Sequence, residues 1–90
     1  MKKRGRVRII IEVLSYIAEE SPVPATRVAQ AAGLAYDRLV ELLEELNERG
    51  LVRLETGERV RRVHITRKGL ETLRKLRELK DFLEDLGVDI

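Results

Sequence analysis

The sequence has no cysteine and no tryptophan, one histidine, two prolines and only 3% aromatic residues. Without cysteine there is no disulfide framework, no thiolate zinc site and no thiol nucleophile. His64 stands alone beside a hydrophobic strand, so no metal site is expected, and a structural or phosphate-facing role suits it. Ser15 and Ser21 have no base partner, and Glu19-Glu20 and Glu44-Glu45 read as solvated helix faces. The glycines occur singly and form no phosphate loop. Neither catalysis, a cofactor nor a small-molecule ligand is therefore expected. No run approaches the roughly 18 apolar residues of a membrane span. No apolar run with a small-residue cleavage site follows Met1-Lys2-Lys3-Arg4, so the expected location is the cytoplasm. Asn47 and Gln30 are the sole amides beside 13 arginines, a composition of proteins that must withstand heat.

What is present is charge, unevenly placed. Ninety residues with 43% hydrophobic and 38% charged side chains fit one domain with a modest core. The net charge of +2 argues at first against a nucleic-acid partner. Divided along the chain it reads differently. Residues 1–8 carry +5, residues 9–50 carry −5, residues 51–68 carry +4 and residues 69–90 carry −2. Two basic segments of this kind can supply phosphate affinity through counterion release, or can simply be solvated.

Hydrophobic periodicity divides the chain into elements. Val7, Ile10, Ile11, Leu14, Ile17 and Ala18 form one helical stripe over Val7–Glu20, and Ile9, Val13 and Tyr16 form a second beside it. A helix this apolar needs more than one neighbour. Ser21-Pro22-Val23-Pro24 ends it and offers Val23 for a short strand. A brief helix over Ala25–Ala32, with Val28 and Ala29 inward, closes at Gly33. Ala35–Arg49 follows, with Leu39, Leu42, Leu43 and Leu46 inward, and Gly50 breaks it. Leu51–Glu55 and Val60–Ile65 flank Thr56-Gly57-Glu58 and predict a hairpin. Thr66 can cap a last helix running to Gly87. The expected fold is mainly α with a small β-hairpin, a winged helix-turn-helix with a long C-terminal dimerisation helix. Residues 1–6 form a basic arm, 7–69 the winged helix and 70–90 the terminal helix.

Three runs carry a resemblance. Val28-Ala29-Gln30-Ala31-Ala32-Gly33-Leu34 resembles the second helix and turn of winged-helix regulators. Leu43-Glu44-Glu45-Leu46-Asn47-Glu48-Arg49-Gly50-Leu51-Val52 resembles the end of their third helix and its entry into the wing. His64-Ile65-Thr66-Arg67-Lys68-Gly69 resembles the passage from wing to last helix. With the chain's size and Leu-rich terminal helix, the whole resembles the small archaeal winged-helix DNA-binding proteins that pair through a terminal antiparallel coiled coil. That resemblance implies a homodimer binding double-stranded DNA, as a transcriptional regulator or a nucleoid-associated protein.

In a helix-turn-helix the second helix of the motif meets the major groove with its first turn. Here that turn offers Tyr36, Asp37 and Arg38. Arg38 suits guanine, Tyr36 a phosphate or thymine methyl, and Asp37 a cytosine amine or its own helix N-terminus. Tyr36 can equally pack half-buried on the preceding helix. Glu41, Glu44, Glu45 and Glu48 make the same helix acidic, where related DNA binders often carry a basic or small polar residue at the place of Glu41. The wing offers Arg53, Arg59, Arg61 and Arg62, suited to phosphates or a narrow minor groove, or else paired with Glu55 and Glu58. Thr26 and Arg27 open the second helix, where a phosphate often sits, although Arg27 can instead pair with an acid. The acidic third helix supports an alternative, a winged-helix module that binds another protein in a nucleoprotein complex.

The terminal helix should pack Leu70 and Leu73 on the core. Leu76, Leu79, Leu83 and Leu86 then keep the spacing of a coiled-coil seam. A second copy would bury that seam, thickened by Phe82 and by the Ile9, Val13 and Tyr16 stripe. The other possibility is that the helix folds back on its own domain.

Overall fold

The computed structural model describes residues 5–90, apart from the side chain of Arg61. Lys2, Lys3 and Arg4 of the expected basic arm lie outside the described residues. The elements run α1 (Arg6–Glu20), β1 (Val23–Pro24), α2 (Ala25–Ala32), α3 (Tyr36–Glu48), β2 (Val52–Thr56), β3 (Val60–Ile65) and α4 (Arg67–Asp85). This is the expected order, with boundaries moved by a residue or two. Helix α1 begins at Arg6, so that residue belongs to the helix and not to an arm.

The three strands form one antiparallel sheet in the order β1-β3-β2. Val52 faces Ile65 and Leu54 faces Val63, while Val23 faces Val63 from the other edge. These apolar pairs line the inner face, and the alternate residues Arg53, Glu55, Arg62 and His64 line the outer one. A register irregularity between Glu55 and Thr56 leads into the turn.

The core lies between α1, α2, α3, the sheet and the start of α4. Leu14, Ile17, Leu39, Leu43, Val28 and Val63 are all fully buried. Helix α1 is indeed covered by several neighbours, touching α2, β3 and α4. Val13 thereby becomes part of the core at 0% exposure, which removes it from any surface seam. Val7, expected inward, is exposed.

Two junctions fix the layout. Gly33 takes a left-handed conformation (φ 66°), which lets Leu34 N–H reach the Ala29 carbonyl at 3.0 Å and ends α2. The tight connection to α3 follows from that geometry. At the other junction, the Thr66 hydroxyl accepts the Gly69 N–H at 2.9 Å and lies 2.7 Å from the Gly50 carbonyl oxygen. Lys68 Nζ donates to the Arg49 carbonyl oxygen at 2.7 Å. The end of α3, the root of the wing and the start of α4 are thus joined at one point. The close approach turns Gly69 inward, followed by Leu73, and so rotates Leu70 out to 48% exposure, against expectation.

Candidate nucleic-acid interface

Three elements meet on one side of the molecule. Thr26 at the start of α2, Tyr36 at the start of α3, and Glu58, Arg59 and Val60 of the wing line one depression. Tyr36 is half-buried, and its hydroxyl donates to the Val60 carbonyl oxygen at 3.0 Å. The Arg59 guanidinium lies 6.0 Å from the Tyr36 ring centroid, at the limit of a cation–π contact. Tyr36 therefore ties the wing tip to α3, rather than packing only on α2. The depression continues between α3 and the wing past Asp37, Val40, Glu44 and Asn47. Its rim mixes arginine with acid.

The remaining expected residues spread around this centre. Arg27 is exposed and pairs with no acid among the described residues. Arg38 lies on the opposite flank of α3, in a groove of about 250 Å³ shared with Arg6, Glu41 and Glu45. Arg53 and Arg62 stand exposed on the outer face of the sheet. The backbone of Arg61 belongs to β3, and its side chain lies outside the described residues. Thr26, Tyr36, Asp37 and Arg59 thus line one continuous depression, whereas Arg38 lies on the other flank of α3 and Arg53 and Arg62 on the outer sheet face.

Two pairings were not legible in the sequence. His64 Nε2 lies 2.7 Å from Glu55 Oε2, a hydrogen bond between an imidazole and a carboxylate on the outer sheet face. That bond, chiefly, holds the Glu55 carboxyl below its ordinary value of 4.5; desolvation opposes it, and the charges of His64, Arg62 and Arg53 assist it. Glu55 thereby engages histidine, where the alternative reading of the wing offered it an arginine partner. The second pairing joins Arg6 of α1 to Glu45 of α3. Only the hairpin register and the groove between α1 and α3 reveal either one.

Helix α4 changes character along its length. Leu73 is buried, Leu76 is partly buried against the core, and Arg77 Nη2 donates to Ser15 Oγ of α1 at 2.8 Å. Beyond that point Leu79, Phe82 and Leu86 are 46%, 60% and 63% exposed, with Leu83 partly buried. Ile9 and Tyr16 are half-buried against the core of their own chain. No described helix is long and apolar enough to cross a membrane.

These features define a class, and the chain belongs to the winged helix-turn-helix family, whose model matches residues 3–84. It is similar to Sso10a-2, a DNA-binding protein from Sulfolobus solfataricus, at 27% identity and a TM-score of 0.78, covering 92% of this chain and 85% of that one. The likeness agrees with the resemblance to small archaeal winged-helix proteins. It is also similar to a MarR-family transcriptional regulator from Rhodococcus, at 28% identity and a TM-score of 0.69. That match covers 78% of this chain but 51% of the regulator, so the chain spans about half its length. MepR, a transcription regulator of Staphylococcus aureus, shares the fold at 16% identity and a TM-score of 0.71, over 87% of this chain and 60% of that one. No curated protein matches the sequence.

Proposed function

We propose that the protein binds double-stranded DNA as a homodimer, without enzymatic activity, as a transcriptional regulator or nucleoid-associated protein. The observation that carries this reading is the single concavity built from Thr26, Tyr36 and Arg59, where the starts of two helices meet the wing. A duplex seated there meets helix N-termini and arginine together, the groups that hold phosphate. Arg27, Arg53 and Arg62 extend the cationic surface to the flanking backbone, and Arg61 adds to the charge of the wing. Arg38 reaches base edges from the flank of the first turn. The similarity to an archaeal DNA-binding protein over nearly the whole chain supports the same reading.

Residues 7–69 then form the reading head and residues 70–90 the dimerisation helix. The exposed Leu79, Phe82 and Leu86, continued by Leu76 and Leu83, support antiparallel pairing, because a lone apolar seam is unstable in water. Ile9 and Tyr16 border that pairing with the parts of their side chains left exposed.

A gel-shift titration with random duplex tests the reading. Raising salt from about 50 to 200 mM should weaken binding by orders of magnitude. Retention insensitive to salt would rule out the mechanism. A second reading is favoured by the exposed Glu41, Glu44 and Glu48 on α3, whose charge suits a basic protein partner. Under that reading random duplex is not retained at moderate salt.

A further inference from the structure

We infer that Arg6 is a further DNA-contact residue, which Glu45 holds in the free protein by standing in for a backbone phosphate. The inference rests on the DNA-binding reading and adds to it one residue and its regulation. Arg6 opens α1, and its guanidinium crosses to the Glu45 carboxylate on α3. The pair spans a groove floored by Ile9, Ile10, Leu34 and Leu42, with Arg38 and Glu41 on the same rim. Two guanidinium groups therefore flank one groove that runs along α3, Arg38 near its start and Arg6 beside Glu45 further on. One holds a carboxylate, and Arg38 holds none among the described residues.

A guanidinium fork binds carboxylate and phosphate oxygens with the same geometry, so each anion can replace the other. The pair is also built to exchange. Its side chains are 66% and 49% exposed, and ion pairs this open to water contribute little to folding. The first turn of α1 has no acid of its own, and the anion comes from α3. Arg8 differs, since its partner Glu12 lies one turn on within α1 at 3.9 Å. On this account Glu45 gives α3 its acidic flank because it competes with DNA for Arg6. When duplex arrives, Arg6 leaves the carboxylate for a phosphate, and no covalent bond is made or broken.

A double-mutant cycle on the whole protein tests this, using random duplex with anisotropy detection across a salt series. Glu45→Gln should tighten binding about fivefold when Arg6 is present and less than about twofold in the Arg6→Gln background. Arg6→Gln should flatten the salt slope by about 0.9, and Glu45→Gln should leave the slope unchanged while Arg6 is present, since Arg6 meets a phosphate in either case. In the Arg8→Gln background, Glu45→Gln should keep its full effect. Equal gains with and without Arg6 overturn the inference, because charge alone then explains them. A larger gain without Arg6 also overturns it, since Arg6 is then a shield rather than a held contact. If the parent protein fails to retain duplex, the DNA reading falls and the inference with it. If it binds and the cycle is additive, the inference alone falls.

Discussion

A Cβ placed on Gly69 would stand 2.1 Å from the carbonyl oxygen of Leu51 and 2.9 Å from Ile65 Cδ1. The start of α4 therefore lies against the root of the wing at a distance that admits only hydrogen. Gly69→Ala gains about 1 kcal/mol of helix propensity. It meets a backbone atom that cannot rotate away, and overpacking of this kind costs up to about 3 kcal/mol. The expected net loss is about 2 kcal/mol, or a fall in Tm of roughly 10 °C for a domain this size. Thermal unfolding by circular dichroism measures it, and an unchanged Tm would show that α4 can lift off the wing without penalty.

Tyr36→Phe keeps the ring and removes the bond to the Val60 carbonyl. Stability should fall by about 1 kcal/mol, the net worth of such a bond. Duplex affinity should fall several-fold for all sequences, because the wing tip loses its tether to α3. Urea denaturation and DNA titration of the same variant separate the two effects.

The wing and α3 should differ in kind. Arg61→Ala with Arg62→Ala should weaken binding to every sequence and flatten the salt slope by about 0.9 for each phosphate that is no longer neutralised. Arg38→Ala should instead alter preference between sequences. A selection from random duplex, compared with salt titrations, distinguishes these outcomes.

The carboxyl of Glu55 titrates below 4.5 in the folded chain, chiefly through its bond with His64. A depressed folded pKa contributes stability that is present above the unfolded value and is lost as pH falls through the folded one. The Glu55 contribution should thus hold at pH 5 and disappear below 4.5. His64→Ala should move the Glu55 titration upward by NMR, leaving the smaller effects of Arg62 and Arg53. An unmoved titration would place the cause elsewhere.

Phe82→Glu should convert a dimer into a monomer by sedimentation at micromolar concentration. Its side chain is 60% exposed within its own chain, so the fold of the domain should survive. A parent protein that sediments as a monomer would remove the pairing of α4.

The fold was largely legible because periodicity, Gly33 and Gly50, and the Thr66 cap all mark the same elements. Alternation predicted the hairpin but did not say which face is inner; the structure turns Val52, Leu54, Val63 and Ile65 to the core. Where the pattern misleads, the cause is rotation about a helix axis. Leu70 and Leu73 look alike in sequence, and only the close approach at Gly69 decides which one is buried. Val13 differs from expectation in the same way, because periodicity does not say how many neighbours surround α1. The site was legible by residue type but not by grouping. Nothing in the spacing says that Tyr36 reaches Val60, or that Arg38 lies on the far flank with Arg6.

The junction at Thr66 makes the wing a cantilever. Its root is clamped: Thr66 fixes the start of α4, and Ser21 Oγ accepts the Ile65 N–H at 2.9 Å. Its free end is latched to α3 by the hydrogen bond from Tyr36, beside the contact of Arg59 with the same ring. Such a bond is worth about 1 kcal/mol, so the latch opens at a population cost of only about fivefold while the root stays fixed. The direction in which the hairpin leaves the domain is thereby set at its root, and the tip is held by the weaker tie.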